Sequence, residues 1–138
     1  MSEYLQSEMF RLICGKELGE GSSRKVFEHA HNRKLVIKTE SNVKSFCNIV
    51  EWETWLFAKQ TKLKKWFAPC VDISPCGGVL LQKKIVPVDI SRLPLEVPEC
   101  FSDLKVENWG LYKGNIVCCD YGQMVLSIPH KLVKANWS

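Results

Sequence analysis

The chain has no apolar run approaching the ~20 residues of a membrane-spanning helix, which excludes a helical span. It also lacks a C-x-x-C pair. Its seven cysteines (14, 47, 70, 76, 100, 118 and 119) have no histidines nearby. A structural zinc site needs clustered thiolates or imidazoles, so these residues are expected to be reduced and mostly buried. The polar, acidic stretch from Met1 to Glu8 is unlike a signal peptide. Together with the unpaired thiols it leads to the expectation of a cytoplasmic protein with no membrane contact. There is no long block of one charge sign: 19 Lys+Arg against 15 Asp+Glu leave +4, which gives little support to nucleic acid as the main partner. Internal repeats, low-complexity tracts and long linkers are missing too, and with them any solenoid or disordered tail.

What is present is an ordinary globular composition, 46% hydrophobic and 25% charged over 138 residues. That is enough for one domain that buries about two-thirds of its unfolded surface, and too little for an enzyme built from two full-size domains. Lys59, Lys62, Lys64 and Lys65 cluster. A solvated helix face is the plainer reading, and an anion or partner surface the sharper one.

Residues 10 to 38 read as three short strands: one ending near Leu18, one over 25–30 and one over 34–39, with His31-Asn32-Arg33 as a tight turn. Ser41 or Asn42 can cap a helix running to about Ala58, on which Val43, Phe46, Cys47, Ile49, Val50, Trp52, Leu56 and Phe57 recur at helical spacing. A Lys-rich helical piece ends at Pro69, and strands follow over 70–73 and 79–86. Pro87, Pro94 and Pro98 exclude a long helix between Val86 and Ser102. Residues 109–112 and 115–119 read as a hairpin about Lys113-Gly114, and Gln123 to Ile128 as a last strand before a short tail. Strands, a helix, strands and a β-rich end make the class α+β rather than an alternating parallel fold.

Three segments can carry chemistry. In Leu18-Gly19-Glu20-Gly21-Ser22-Ser23-Arg24-Lys25-Val26, a strand, a Gly-x-Gly turn and a returning strand can lay backbone N–H groups over phosphates. A plain hairpin shows the same pattern. In Leu35-Val36-Ile37-Lys38, alternation puts Lys38 on one face with Val36. A lysine directed inward needs an anion, and the following helix offers Glu51 and Glu53. Two helical residues are about 200° apart, so only one of them can turn toward Lys38. Glu51 is the first choice and Glu53, with Leu56 and Phe57 three and four residues on, the rival.

The third segment pairs Phe101-Ser102-Asp103-Leu104-Lys105-Val106-Glu107-Asn108 with Cys118-Cys119-Asp120-Tyr121-Gly122. If the hairpin turns at Gly114, Asn108 and Asp120 are equally far from it and stand opposite each other, with Cβ atoms about 5 Å apart. An amide oxygen and a carboxylate at that spacing can share one Mg²⁺. Asp103 then lies close enough to orient a hydroxyl. The alternative is a hairpin whose polar residues merely form turns.

In this order the motifs resemble those of the protein kinase superfamily, over roughly Leu12 to Gly122: a glycine loop, a strand ending in lysine, a helix glutamate, Asp103-Leu104-Lys105-Val106-Glu107-Asn108 and Asp120-Tyr121-Gly122. The resemblance implies an antiparallel N-lobe sheet with one main helix and a strongly reduced C-lobe. The single minimal domain over 1–138 would divide into an N-lobe-like part at about 10–85, a catalytic-loop and metal-binding remnant at 86–128 and a tail at 129–138. It implies ATP and Mg²⁺ as cofactors. Gly19, Glu20, Gly21, Ser22 and Val26 would cover the phosphates, and Val36 would line the adenine pocket. Lys38, paired with Glu51, would hold the α/β-phosphates, and Leu81, Gln82 and Lys83 would present a backbone edge to adenine. Asp103 would accept the hydroxyl proton, Lys105 would neutralise charge on the transferring group, and Asn108 and Asp120 would hold the metal.

The departures are informative. Arg24 stands at the third glycine, where it stiffens the loop or brings a cation to the phosphates. Val36 replaces alanine, and Phe101-Ser102 replace His-Arg. Sixteen residues after Gly122 leave no room for a large helical lobe. Brevity of this kind is similar to the short kinase-like proteins of tailed phages, which would place the chain in a host cytoplasm. Two functions follow as expectations. One is a minimal phosphotransferase acting on Ser/Thr of a protein or on itself. The other is a pseudokinase module engaging a host or partner protein. Self-association fits either.

Overall fold

The computed structural model describes residues 8, 10–21, 23–40, 45–102, 104–124 and 131–138. The chain divides into two compact units, 1–48 with 70–84 and 49–69 with 85–138.

The first unit is a five-stranded antiparallel sheet in the order β1-β2-β3-β5-β4. The strands are β1 (Cys14–Glu20), β2 (Arg24–His29), β3 (Leu35–Glu40), β4 (Cys70–Ile73) and β5 (Val79–Lys83). β3 has three apolar residues in a row and a strand on either side, and it is buried on both faces: Ile37 on one, Val36, Lys38 and Glu40 on the other. The turn before it closes as expected, with Asn32 accepting from the Lys34 amide through its side chain and from the Leu35 amide through its carbonyl. Residues 10–13, expected in the first strand, are helical, and the strand begins at Cys14.

The main helix, α1, is Cys47–Ala58 and so starts later than the expected caps imply. Residues 41–44, which include both Ser41 and Asn42, lie outside the described residues. The cap that is present comes from the end of β3. The Glu40 carboxylate accepts from the Cys47 amide (2.7 Å), the Asn48 amide (3.0 Å) and the Ser45 hydroxyl (2.8 Å). An anion at a helix N-terminus satisfies donors that have no partner within the helix.

The second unit holds a three-stranded sheet in the order β6-β8-β9 and a two-stranded pair, β10-β7. Its strands are β6 (Val86–Pro87), β7 (Glu96–Pro98), β8 (Trp109–Tyr112), β9 (Asn115–Cys118) and β10 (Leu132–Lys134). The expected strand over 79–86 is thus two, ending at Lys83 and resuming as β6 in a different sheet. The proline-rich stretch carries short strands and a 3-10 turn at Ile90–Arg92, not a long helix. Of the expected last strand, Gln123 and Met124 are not in a strand, and 125–128 lie outside the described residues. Residues expected as tail supply β10.

An aromatic cluster forms the core of this unit. Phe101 lies 5.0 Å from Phe67 and 4.9 Å from Trp109 between ring centroids; Trp109 also meets Trp137 at 5.1 Å. The two Trp109 contacts are edge-on and add about 0.5–1.5 kcal/mol each beyond area burial. The chain at Gly110 runs so close to β6 that a Cβ there would lie 2.5 Å from the Val86 carbonyl, so only glycine fits. Among the described residues no helix is long and apolar enough to cross a membrane.

Candidate functional site

In the first unit, Gly19 pairs with Val26 and Glu20 with Lys25 across the glycine loop, which closes through the Gly21 amide on the Arg24 carbonyl at 2.8 Å. Ser22 lies outside the described residues. A Cβ at Gly19 would meet nothing within 4 Å, and one at Gly21 only the Arg24 carbonyl at 3.9 Å. Neither glycine has a positive φ. The chain's own packing therefore does not demand glycine at either position, and the bare backbone is available for close approach by a ligand.

Register places Val26 opposite Lys38, Lys38 opposite Leu80, and Val36 opposite Gln82. Val26, Val36, Lys38 and Gln82 consequently share one face of the sheet. Lys38 is only 3% exposed, and lysine is almost never buried this far without an anion or a task. Leu81 and Gln82 are flanked by strands on both sides, pairing with Ile37 and Val36 on β3 and with Asp72 and Cys70 on β4. The sheet takes the backbone edge that the sequence reading assigned to adenine at these two positions. Lys83 is paired on one side, with Leu35.

A polar cluster that sequence reasoning missed braces this face. Asn48 is fully buried. Its amide group donates to the carbonyls of Lys38 (3.1 Å) and Gly77 (2.9 Å), and its Oδ1 accepts from Arg24 at 3.2 Å. Arg24 thus turns toward the start of α1, and Glu40 is its direct neighbour on β3. Burial pushes the Glu40 carboxyl up, but the bonds from the Asn48 and Cys47 amides, the Ser45 hydroxyl and the Cys47 thiol outweigh it. The net effect holds the group below its usual range. A glutamate closing a strand shortly before a helix was the one sequence signal available for this cluster; nothing marked Asn48.

In the second unit, Glu51 is fully buried while Glu53 is exposed, so of the two helix carboxylates Glu51 is the inward one. It accepts from the Tyr121 amide at 2.7 Å. Tyr121 is held again through its hydroxyl, which donates to the Ala68 carbonyl at 2.6 Å, and through its ring, 4.8 Å from Phe67. The segment after Asp120 is fixed on three sides. Phe101, which stands where the resemblance has a histidine, is 4% exposed and belongs to the aromatic cluster. Asp103 itself lies outside the described residues. Lys105 is exposed and precedes a 3-10 turn at Val106–Asn108.

The hairpin corrects one expectation. Its loop is the two-residue turn Lys113-Gly114, with φ of 47° and 83°. Positive φ at both central positions is the type I′ geometry of tight hairpins, and its axis falls between the two residues, not on Gly114. Trp109 therefore pairs with Cys118, and the Cys119 amide donates to the Asn108 carbonyl at 2.8 Å. Asn108 stands opposite Cys119, and Asp120 is one residue further on, so the directly opposed Asn–Asp pair is not formed. Both residues still lie at the base of the same hairpin, Asp120 exposed and Asn108 half-buried. Amide and carboxylate oxygens remain the hard donors that Mg²⁺ takes.

No protein-family model matches the chain, and no curated protein matches it in sequence. Among solved structures it is similar to a chain of the gentamicin–APH(2")-IIa complex, with 17% identity, a TM-score of 0.48 and 65% of this chain covered. It spans 30% of that chain's length. The α+β class stands on the chain's own elements: a five-stranded antiparallel sheet, with the main helix between its third and fourth strands in sequence, and a second unit whose strands are all short and form two small sheets. That is the arrangement expected of a kinase-like N-lobe with a reduced C-lobe.

Proposed function

We propose that the protein is a minimal ATP- and Mg²⁺-dependent phosphotransferase of the kinase-like type, acting on a Ser/Thr hydroxyl of a protein or of a second copy of itself. The observation that carries this reading is Lys38, buried at 3% exposure on the sheet face that also holds Val26 and Val36. Residues 10–85 handle the nucleotide in this reading, and 86–128 supply the catalytic loop and the metal donors. Gly19 and Gly21 lack side chains that would keep phosphates off the loop, although the Gly21 amide itself donates to the Arg24 carbonyl, and Lys38 supplies a cation. Asn108 and Asp120 would hold Mg²⁺, whose chemistry is to neutralise charge on the phosphates.

Asp103 accepts the acceptor's proton as its oxygen bonds to the γ-phosphorus and the bond to ADP breaks. Lys105, exposed and two residues on in sequence, stabilises the transferring group. Glu51 keeps the segment beyond Asp120 in place through the Tyr121 amide. The base-recognising backbone moves from Leu81 and Gln82 to Lys83 and the residues after it.

Transfer from γ-labelled ATP, with Mg²⁺-ATP binding by calorimetry, tests the proposal. Asp103→Ala and Asp120→Asn should abolish labelling. Equal labelling by wild type and both variants would sink the assignment.

A further inference from the structure

The 3-10 turn at Lys62–Trp66 is a basic surface with an apolar underside. Thr61 caps it, its hydroxyl oxygen accepting from the Leu63 amide at 3.1 Å. Side chains three apart eclipse in a 3-10 turn, so Leu63, 3% exposed, and half-buried Trp66 share the inner side while Lys62, Lys64 and Lys65 project outward. The turn packs against β9, where the Ala68 amide donates to the Cys118 carbonyl at 2.8 Å. This brings the turn alongside the hairpin that carries exposed Lys113 at its tip.

Between them lies a cavity of about 250 Å³ lined by Lys65, Trp66, Pro94, Gly114, Asn115 and Ile116. That volume is below the range of drug-sized ligand sites and suits one apolar side chain. Segments 59–69 and 109–119, which supply five of the six lining residues, contain Lys59, Lys62, Lys64, Lys65 and Lys113 and no Asp or Glu. All five lysines are exposed, and none forms an ion pair among the described residues. These two segments, packed against each other, thus carry five lysines and no carboxylate in a chain whose whole excess is +4.

We infer that this surface docks an acidic segment of a protein partner, an apolar side chain of that segment entering the cavity while flanking carboxylates meet the lysines. The occupant is a polypeptide rather than a nucleic acid because the lysines, point charges that pair with carboxylates as well as with phosphates, lie on the segments that line this small recess. The recess has room for one side chain, whereas single strands need an extended run of stacking rings.

Fluorescence anisotropy at about 50 mM salt tests this with no nucleotide present, so the outcome does not depend on phosphotransfer. The probes are a fluorescein-labelled heptapeptide of one leucine flanked by six glutamates, its six-glutamine counterpart, and labelled hepta-uridylate. The glutamate peptide should bind at least about tenfold more tightly than the glutamine peptide. The double variant Lys64→Glu/Lys65→Glu, exposed at both positions, should lose at least about tenfold. Equal binding of the two peptides, or unchanged binding by the double variant, overturns the inference. Tighter binding of the RNA than of the glutamate peptide overturns it in favour of nucleic acid.

Discussion

Replacing Asn48 with alanine removes the side chain that ties three parts of the first unit together. Two carbonyls, of Lys38 and Gly77, lose a donor, and Arg24 loses an acceptor. Each buried carbonyl left without a partner costs about 1–3 kcal/mol. The Lys38 carbonyl sits on a strand paired on both sides and belongs at the low end of that range. Alanine returns about half a kcal/mol as a better helix former. The expected loss is about 2–4 kcal/mol, which for a chain of this size lowers Tm by roughly 7–14 °C. Asn48→Asp is a sharper probe of mechanism: it keeps shape and the acceptor for Arg24 but turns a carboxylate toward two carbonyls, and should be at least as damaging. Urea unfolding followed by circular dichroism reads both. A loss below about 0.5 kcal/mol for Asn48→Ala would refute the argument that these bonds brace the sheet face.

Gly19→Ala adds a methyl into open space, so thermal melts should be unchanged or slightly improved; Mg²⁺-ATP affinity by calorimetry should nevertheless fall by about tenfold if phosphates approach that backbone. Glu40 has a lowered folded pKa, so the stability it contributes is present above the ordinary carboxylate range and disappears as pH drops through the folded value. Glu40→Gln should therefore melt well below wild type at neutral pH, and the gap should close in acid; a gap of constant size would contradict the charge-based account. Gly110→Ala forces a Cβ against the Val86 carbonyl and Ile85 side chain and should cost about 1–3 kcal/mol by calorimetric melting.

Much of the local structure was legible from residues alone. Apolar alternation and turn residues located the first five strands to within a few positions, and three prolines correctly excluded a helix after β6. The motif order around Lys38, Asn108 and Asp120 was visible without any structure. These signals are short-range: each depends on side chains within a few residues of one another, where backbone stereochemistry leaves few choices.

Other decisions needed the folded chain. Spacing lets only one of Glu51 and Glu53 turn inward, and burial shows that it is Glu51, which accepts from an amide 70 residues away. A type I′ turn and a turn centred on Gly114 are one residue apart in sequence, yet that residue decides whether Asn108 faces Asp120 or Cys119. The resemblance turned the backbone of Leu81 and Gln82 toward adenine, whereas β3 and β4 pair with both residues in the folded sheet. The sequence by itself determined which chemical groups the protein carries and in what order. Their partners were decided by the tertiary structure, because burial and register depend on segments that sequence proximity does not bring together.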